Sequence, residues 1–208
     1  MSAAAGRRGS LFVIAAPSGA GKTTLVKAVL ARDPGLRVSV SHTTRKRRDT
    51  EVHGRDYNFV DVEEFKRLRD AGEFLEHAQV FDNFYGTGRA QVEALRNAGH
   101  DVILEIDWQG AQQVRKAQPD CKTIFVLPPS RAELESRLRN RKTDSDQVIE
   151  RRLRDAVADM SHFEEFDCVV VNDDFETAVA NLLAILRGKP GFSANRPDLV
   201  PLLADLLA

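Results

Sequence analysis

Residues 16–24 read Ala-Pro-Ser-Gly-Ala-Gly-Lys-Thr-Thr, after a short apolar run and before a helical pattern. The spacing is that of a phosphate loop, GxxxxGK[ST], with Ala16 in place of the first glycine and Gly21-Lys22-Thr23 intact. Small residues let successive backbone N–H groups curl round phosphate oxygens, and the helix that follows adds its positive end. Pro17, Ser18, Gly19, Ala20 and Thr24 complete such a cradle. Lys22 reaches the outer phosphates, and the Thr23 hydroxyl suits a Mg2+ ion carried with them. The chemistry is the binding of a nucleoside triphosphate. A glycine-rich turn without a ligand would leave Lys22 unmotivated. The loop alone does not separate a hydrolase from a motor or a kinase of small molecules.

A second set of reactive residues follows. Ser41-His42-Thr43-Thr44 runs into four consecutive basic residues, Arg45-Lys46-Arg47-Arg48. The only two tyrosines, Tyr57 and Tyr85, stand in Gly54-Arg55-Asp56-Tyr57-Asn58-Phe59 and Phe84-Tyr85-Gly86-Thr87. Glu76 sits in the run Phe74-Leu75-Glu76-His77-Ala78, where a strand interior rarely keeps a carboxylate. Glu105 and Asp107 close the run Ile103-Leu104-Glu105-Ile106-Asp107. Arg137, Arg139 and Arg141 lie together, with Arg152 further on, and Asn172 follows Val170-Val171. Taken singly, each has an ordinary alternative. The run 45–48 fits a nucleic-acid patch, the later arginines fit a solvated helix face, and the tyrosines fit half-buried packing.

Composition narrows the choice. The 208 residues are 42% hydrophobic and 29% charged, enough apolar chain for one cored domain. The net charge is −1 and no basic stripe supports the run 45–48, which argues against nucleic acid as partner. No apolar run approaches the ~18 residues of a membrane span. Arg7-Arg8 before the apolar run 11–16 faintly resembles a secretory signal, but the run is short and leads straight into the phosphate loop. It reads as a core strand of a cytoplasmic protein. Cys121 and Cys168 lack ligand spacing and flank apolar runs, so they read as buried thiols in a reducing compartment. The five histidines show no ligand spacing either.

The elements that must position these residues alternate. Strands are expected at 11–15, 37–41, 74–80, 102–107, 123–127 and 168–172. Helices are expected at 23–32, 61–71, 88–98, from 107 through 116, and at 130–141, 146–163 and 175–187. Asp61 with Glu64, Thr87, and Ser130 with Glu133 are the expected helix starts. The alternation predicts an α/β fold, a three-layer sandwich on a parallel core sheet. The segment 37–86 breaks the rhythm and reads as an inserted substrate subdomain, with a basic lid at about 137–146. Residues 189–197 read as a linker. The leucine stripe 199–207 has two homes open to it, the core or a second copy of the chain in a homo-oligomer.

Together these blocks, in this order from about 11 to 187, resemble guanylate kinase of the bacterial type. The resemblance implies a P-loop nucleoside-monophosphate-kinase-like fold with core 11–36 and 87–187, a GMP-binding insertion 37–86 and a lid, flanked by an extension 1–10 and a tail 188–208. It implies ATP and GMP as substrates, ADP and GDP as products, Mg2+ as cofactor, and neither a nucleic-acid nor a membrane partner. Glu76 matches the carboxylate that reads guanine; Ser41 and Thr87 match residues that hydrogen-bond the base. Arg45, Arg48, Tyr57 and Tyr85 match those holding the GMP phosphate. Asp107, with Glu105 beside it, matches a carboxylate near the metal and the nucleophile, through water in the metal's case. Arg137, Arg141 and Arg152 match arginines that close over the transferred phosphoryl group, and Asn172 lies where the family approaches the ATP base. Arg47 and Thr50 replace the family's usual Pro and Gly, and Asn140 and Lys142 replace lid glycines. These changes bear on loop stiffness and lid kinetics. Two rival readings remain: a kinase of another nucleoside monophosphate or ribose bisphosphate, and a non-catalytic interaction module, whose phosphate loop would be degraded.

Overall fold

Strand β1, Leu11–Ala15, is buried at all five positions, as a strand covered on both faces must be. The structure is a computed structural model and describes residues 7–80, 82–140 and 146–208. After β1 come α1 (Lys22–Arg32), β2 (Leu36–Val38), β3 (His42–Thr43), β4 (Asn58–Phe59), α2 (Val62–Asp70), β5 (Phe74–Val80) and β6 (Asn83–Gly88). Then follow α3 (Arg89–Asn97), β7 (Asp101–Glu105), α4 (Trp108–Ala117), β8 (Lys122–Leu127), α5 (Arg131–Arg139) and α6 (Asp146–Met160). The chain ends with β9 (Cys168–Val171), α7 (Phe175–Leu186) and the short α8 (Val200–Leu206). Five strands form a parallel sheet in the order β2-β7-β1-β8-β9, and four form a second sheet, β4-β3-β6-β5. The α/β class with a parallel core sheet is as expected.

The chain divides into two compact units, residues 1–13 with 34–121 and residues 14–33 with 122–208. In the first, α3 packs on β7 and α4 on β5. The second sheet lies here, with α2 beneath it: the Phe65 ring sits 4.7 Å from Phe74 and 5.4 Å from Phe84, centroid to centroid. In the second unit α1 packs on α7, α7 on β9 and α5 on α6. Cys121 and Cys168 are both buried. Among the described residues no helix is long and apolar enough to cross a membrane.

Several boundaries differ from expectation for identifiable reasons. The strand expected at 37–41 is Leu36–Val38; beyond it Val40 N–H is taken by the Gln91 side chain rather than by a strand. Thr87 does not cap α3. It belongs to β6, and the N-cap is Gly88, with no side-chain hydrogen bond. Asp107 lies past the end of β7 and caps α4, accepting Gly110 N–H at 2.8 Å. The helix expected to run to 163 stops at Met160, and a 3-10 turn, Phe163–Glu165, follows. Asp61 and Ser130 cap as their spacing implies, accepting Glu64 and Glu133 N–H.

One buried cation ties the start of the chain down. Arg96 is 2% exposed; it donates to Gly9 O (2.9 Å), Gln118 Oε1 (3.0 Å) and Asp120 Oδ2 (2.6 Å). Its own carbonyl accepts Gly9 N–H at 2.8 Å. We expect Arg96→Ala to cost about 2–3 kcal/mol, because Gly9 O and Gln118 lose their donor inside the fold. Denaturant unfolding measures this; a loss within about 0.5 kcal/mol, the range of ordinary surface changes, would contradict it.

Candidate active site

In the second unit the chain turns sharply after β1. Gly19 (φ 96°) and Gly21 (φ 94°) take left-handed conformations that other residues rarely adopt. Gly21 is the N-cap of α1, so Lys22, Thr23 and Thr24 form its first turn. That turn holds no acidic residue, which leaves the positive helix end for an anion. Asn172, just past β9 and 7% exposed, donates from its amide to Ala20 O at 2.7 Å. A side chain on Gly21 would meet that amide at 2.3 Å. Asn172 thus braces the loop. Its own carbonyl accepts Arg137 Nη2 at 3.2 Å, and Glu133 accepts Arg137 Nε at 2.8 Å. Helix α5 so directs Arg137 toward the segment that braces the loop. Arg152 is half-buried on α6. Arg141 lies outside the described residues.

In the first unit the four-stranded sheet gathers the other candidates. Its registers set His42 opposite Gly86, Thr43 opposite Tyr85, and Thr87 opposite Glu76. A bulge between Phe74 and Glu76 shifts the register, so Phe74, Leu75 and Glu76 are buried in succession where a regular strand alternates. The bulge is what turns Glu76 inward. Glu76 is 3% exposed and accepts a 2.6 Å hydrogen bond from the hydroxyl of Thr87, itself fully buried. Gly110 of α4 lies against the carboxylate; a Cβ there would stand 2.6 Å from Glu76 Oε2. Gln113 holds the same strand, accepting His77 N–H and donating to His77 O. Ser41, before β3, is buried, and its carbonyl accepts Asn58 N–H. Burial pushes the neighbouring His42 imidazole below its usual 6.5.

Beside these lies a cluster of cations and rings. The Arg45 guanidinium carbon stands 5.4 Å from the centroid of the Tyr57 ring and 5.8 Å from that of Phe59. Tyr57 and Tyr85 meet edge to face at 6.1 Å. Burial, aided by the Glu105 charge, raises the Tyr57 hydroxyl to about 12, so it stays a donor at neutral pH. Glu51 holds both arginines. It accepts two bonds from Arg45 (2.8 and 3.1 Å) and one from Arg48 N–H (2.8 Å). Sequence reasoning missed Glu51, although an acid just after a basic run was a visible signal.

The sequence pattern of the guanylate kinase family matches residues 8–189. The chain belongs to the guanylate kinase family. A guanylate kinase of Chromohalobacter salexigens is 52% identical over 202 residues, 97% of this chain and 94% of that one. That of Escherichia coli strain K12 is 51% identical over 184 residues, 88% and 89% of the two chains. Among solved structures, the crystal structure of guanylate kinase from Anaplasma phagocytophilum matches with a TM-score of 0.74 at 37% identity, over 95% of each chain.

The Arg45–Glu51 pair has a pH signature. Burial alone would raise the Glu51 carboxyl, but the hydrogen bonds from Arg45 and Arg48 outweigh it and hold its pKa below 4.5. A lowered folded pKa contributes stability that is full above the unfolded value and lost as pH falls through the folded one. We expect Glu51→Gln to lower Tm near neutral pH by about 3 °C or more. The gap to the parent should close as the pH drops below 4.5. Thermal unfolding across pH checks this, and a gap independent of pH would contradict it.

Proposed function

We infer that this chain transfers the γ-phosphoryl group of ATP to GMP, giving ADP and GDP. The observation that carries the reading is the buried Glu76 carboxylate beside the Thr87 hydroxyl, in a member of the guanylate kinase family whose phosphate loop keeps Gly21, Lys22 and Thr23. Guanine offers N1–H and N2–H as neighbouring donors, and one carboxylate accepts both. Adenine presents a lone pair at N1, which a carboxylate repels, so Glu76 attracts one base and rejects the other. Ser41 and Thr87 complete the base site. Arg45, Arg48, Tyr57 and Tyr85 hold the GMP phosphate, and Glu51 keeps the two arginines in place until it arrives.

On the ATP side the loop 17–24 cradles the phosphates and Lys22 neutralises charge on the outer ones. Asn172 acts through the loop it braces. Arg137, Arg141 and Arg152 take up charge spread over the transferred group. The attacking atom is a GMP phosphate oxygen, largely ionised at neutral pH because the second phosphate pKa is ~6, so no strong general base is needed. Catalysis here is alignment and charge neutralisation. Among the described residues no group of three His, Cys, Asp or Glu side chains gathers to hold a metal. The exposed Thr23 hydroxyl suits a Mg2+ that takes its remaining ligands from phosphate and water. That ion would supply charge neutralisation at the phosphates. Asp107, fixed as the cap of α4 with Glu105 nearby, faces the nucleophile in this reading.

We divide the chain into a core, 11–36 and 87–187, a GMP-binding insertion, 37–86, and a lid at 137–146, of which 141–145 lie outside the described residues. Closure of insertion and lid over the nucleotides keeps water from the γ-phosphorus. A cytoplasmic setting fits two cysteines buried in the fold.

An ADP-release assay with ATP, Mg2+ and a panel of GMP, dGMP, AMP, CMP, UMP and ribose bisphosphate tests the reading. Release with the guanine nucleotides alone is expected; release with another acceptor would overturn the base assignment. Lys22→Met should lower turnover by about a hundredfold or more with an unchanged circular dichroism spectrum. Near-normal turnover would contradict the role of the loop.

A further inference from the structure

The last twenty residues hold one helix in place. We infer that the segment 189–208 sets the position of α5, and that Asp205 is the positioning residue through which it acts on the ATP side of the reaction. The inference rests on the roles proposed for the phosphate loop and Arg137.

The segment is tied along its length to the second unit. Val169 N–H donates to Phe192 O at 2.8 Å, Ser193 bridges Cys168 in antiparallel fashion, and Arg196 donates to Val169 O at 3.0 Å. These ties occupy the outer edge of β9, the last strand of its sheet. Ala194 (4% exposed), Leu199 (1%) and Leu206 (0%) are buried within this single chain, so the leucine stripe docks on its own fold.

The docked α8 then delivers Asp205, which is exposed, to the start of α5. Asp205 Oδ2 accepts the N–H of Arg131, the first residue of that helix, at 2.9 Å. Ser130, the local cap, serves a different donor, Glu133 N–H. A carboxylate at the positive end of a helix stabilises it both as acceptor and as charge. Helix α5 is not a bystander. Leu134 and Leu138 are buried on it, and their methyl groups lie against the phosphate loop: a Cβ on Gly19 would stand 2.9 Å from Leu134 Cδ1 and 3.1 Å from Leu138 Cδ2. Arg137, on the same helix, reaches Asn172 O, and Asn172 reaches Ala20 O. A helix is stiff and its contacts here are close-packed, so a change at its first residue is felt at Gly19 and at Arg137. Asp205 touches neither nucleotide in this scheme. It acts through α5.

Steady-state kinetics with each substrate varied in turn, and thermal midpoints, for Asp205→Ala, Asp205→Asn and Arg131→Pro test this. Proline suits the first helical position and deletes the donor N–H without touching Asp205. The extended backbone of Ser130 (φ −164°, ψ 163°) accommodates a following proline. Asp205→Ala and Arg131→Pro should each lower kcat/KM for ATP by about fivefold and leave KM for GMP unchanged. Asp205→Asn, which keeps an acceptor oxygen, should restore most of the loss. A purely structural cap would lower the midpoint and leave the ATP constants intact below it. That result in either variant, or equal shifts for ATP and GMP, overturns the inference. Arg137→Ala runs beside them. A defective Arg137→Ala with a normal Asp205→Ala sinks only the role of the tail, whereas a normal Arg137→Ala sinks the assignment of that arginine.

Discussion

A carboxylate at 3% exposure in the middle of a strand is the constraint round which the first unit is arranged. Taking such a group out of water is costly unless donors meet it. Glu76 therefore fixes its surroundings. Thr87 must lie directly across the strand pair to give its hydroxyl, and the bulge after Phe74 must turn the side chain inward. Glycine at 110 leaves the carboxylate room, since a Cβ there would stand 2.6 Å from Glu76 Oε2 and force it to shift. Helix α4 carries that glycine, is capped by Asp107 and grips β5 through Gln113. The carboxylate proposed to read the base and the one proposed to face the nucleophile are thus both tied to one helix. A hydrophobic residue would pack more cheaply at 76, and a buried carboxylate there is what the proposed recognition of guanine requires.

The second unit is arranged round a backbone. A loop that is to meet an anion with backbone N–H groups must have its shape held by other contacts. Asn172 takes one carbonyl, and Leu134 and Leu138 fill the space beneath Gly19. The loop is thus held by Asn172 and by the leucines of α5, the kind of preorganisation that phosphoryl transfer requires.

What the sequence displayed and what it hid follow from the range of each interaction. The phosphate loop is local: its glycines, Lys22 and the start of α1 are contiguous, and so were legible. Glu76 was legible as an anomaly, a charge in an apolar run. Thr87 was misread as a helix cap because a threonine ahead of a helical pattern is a good cap by local rules; its real partner is 11 residues back across a hairpin. The bulge has no residue signature and was invisible. The bracing by Asn172 joins residues 152 positions apart, and Asp205 meets a backbone N–H 74 positions away. Periodicity showed that the tail has an apolar stripe but not where it docks. Arg47 and Thr50, where the resemblance implied Pro and Gly, are both exposed and leave the Glu51 clasp intact.

The most direct test of the central claim compares GMP with IMP, whose base keeps N1–H but lacks the 2-amino group, on the parent enzyme and on Glu76→Gln. Calorimetric titration of the four pairs gives a complete cycle. If Glu76 accepts both donors, the parent should bind GMP about tenfold more tightly than IMP, and the gap should largely vanish in Glu76→Gln. An equal gap in both proteins would mean that another group reads the 2-amino substituent and that the buried carboxylate is not the residue that recognises guanine.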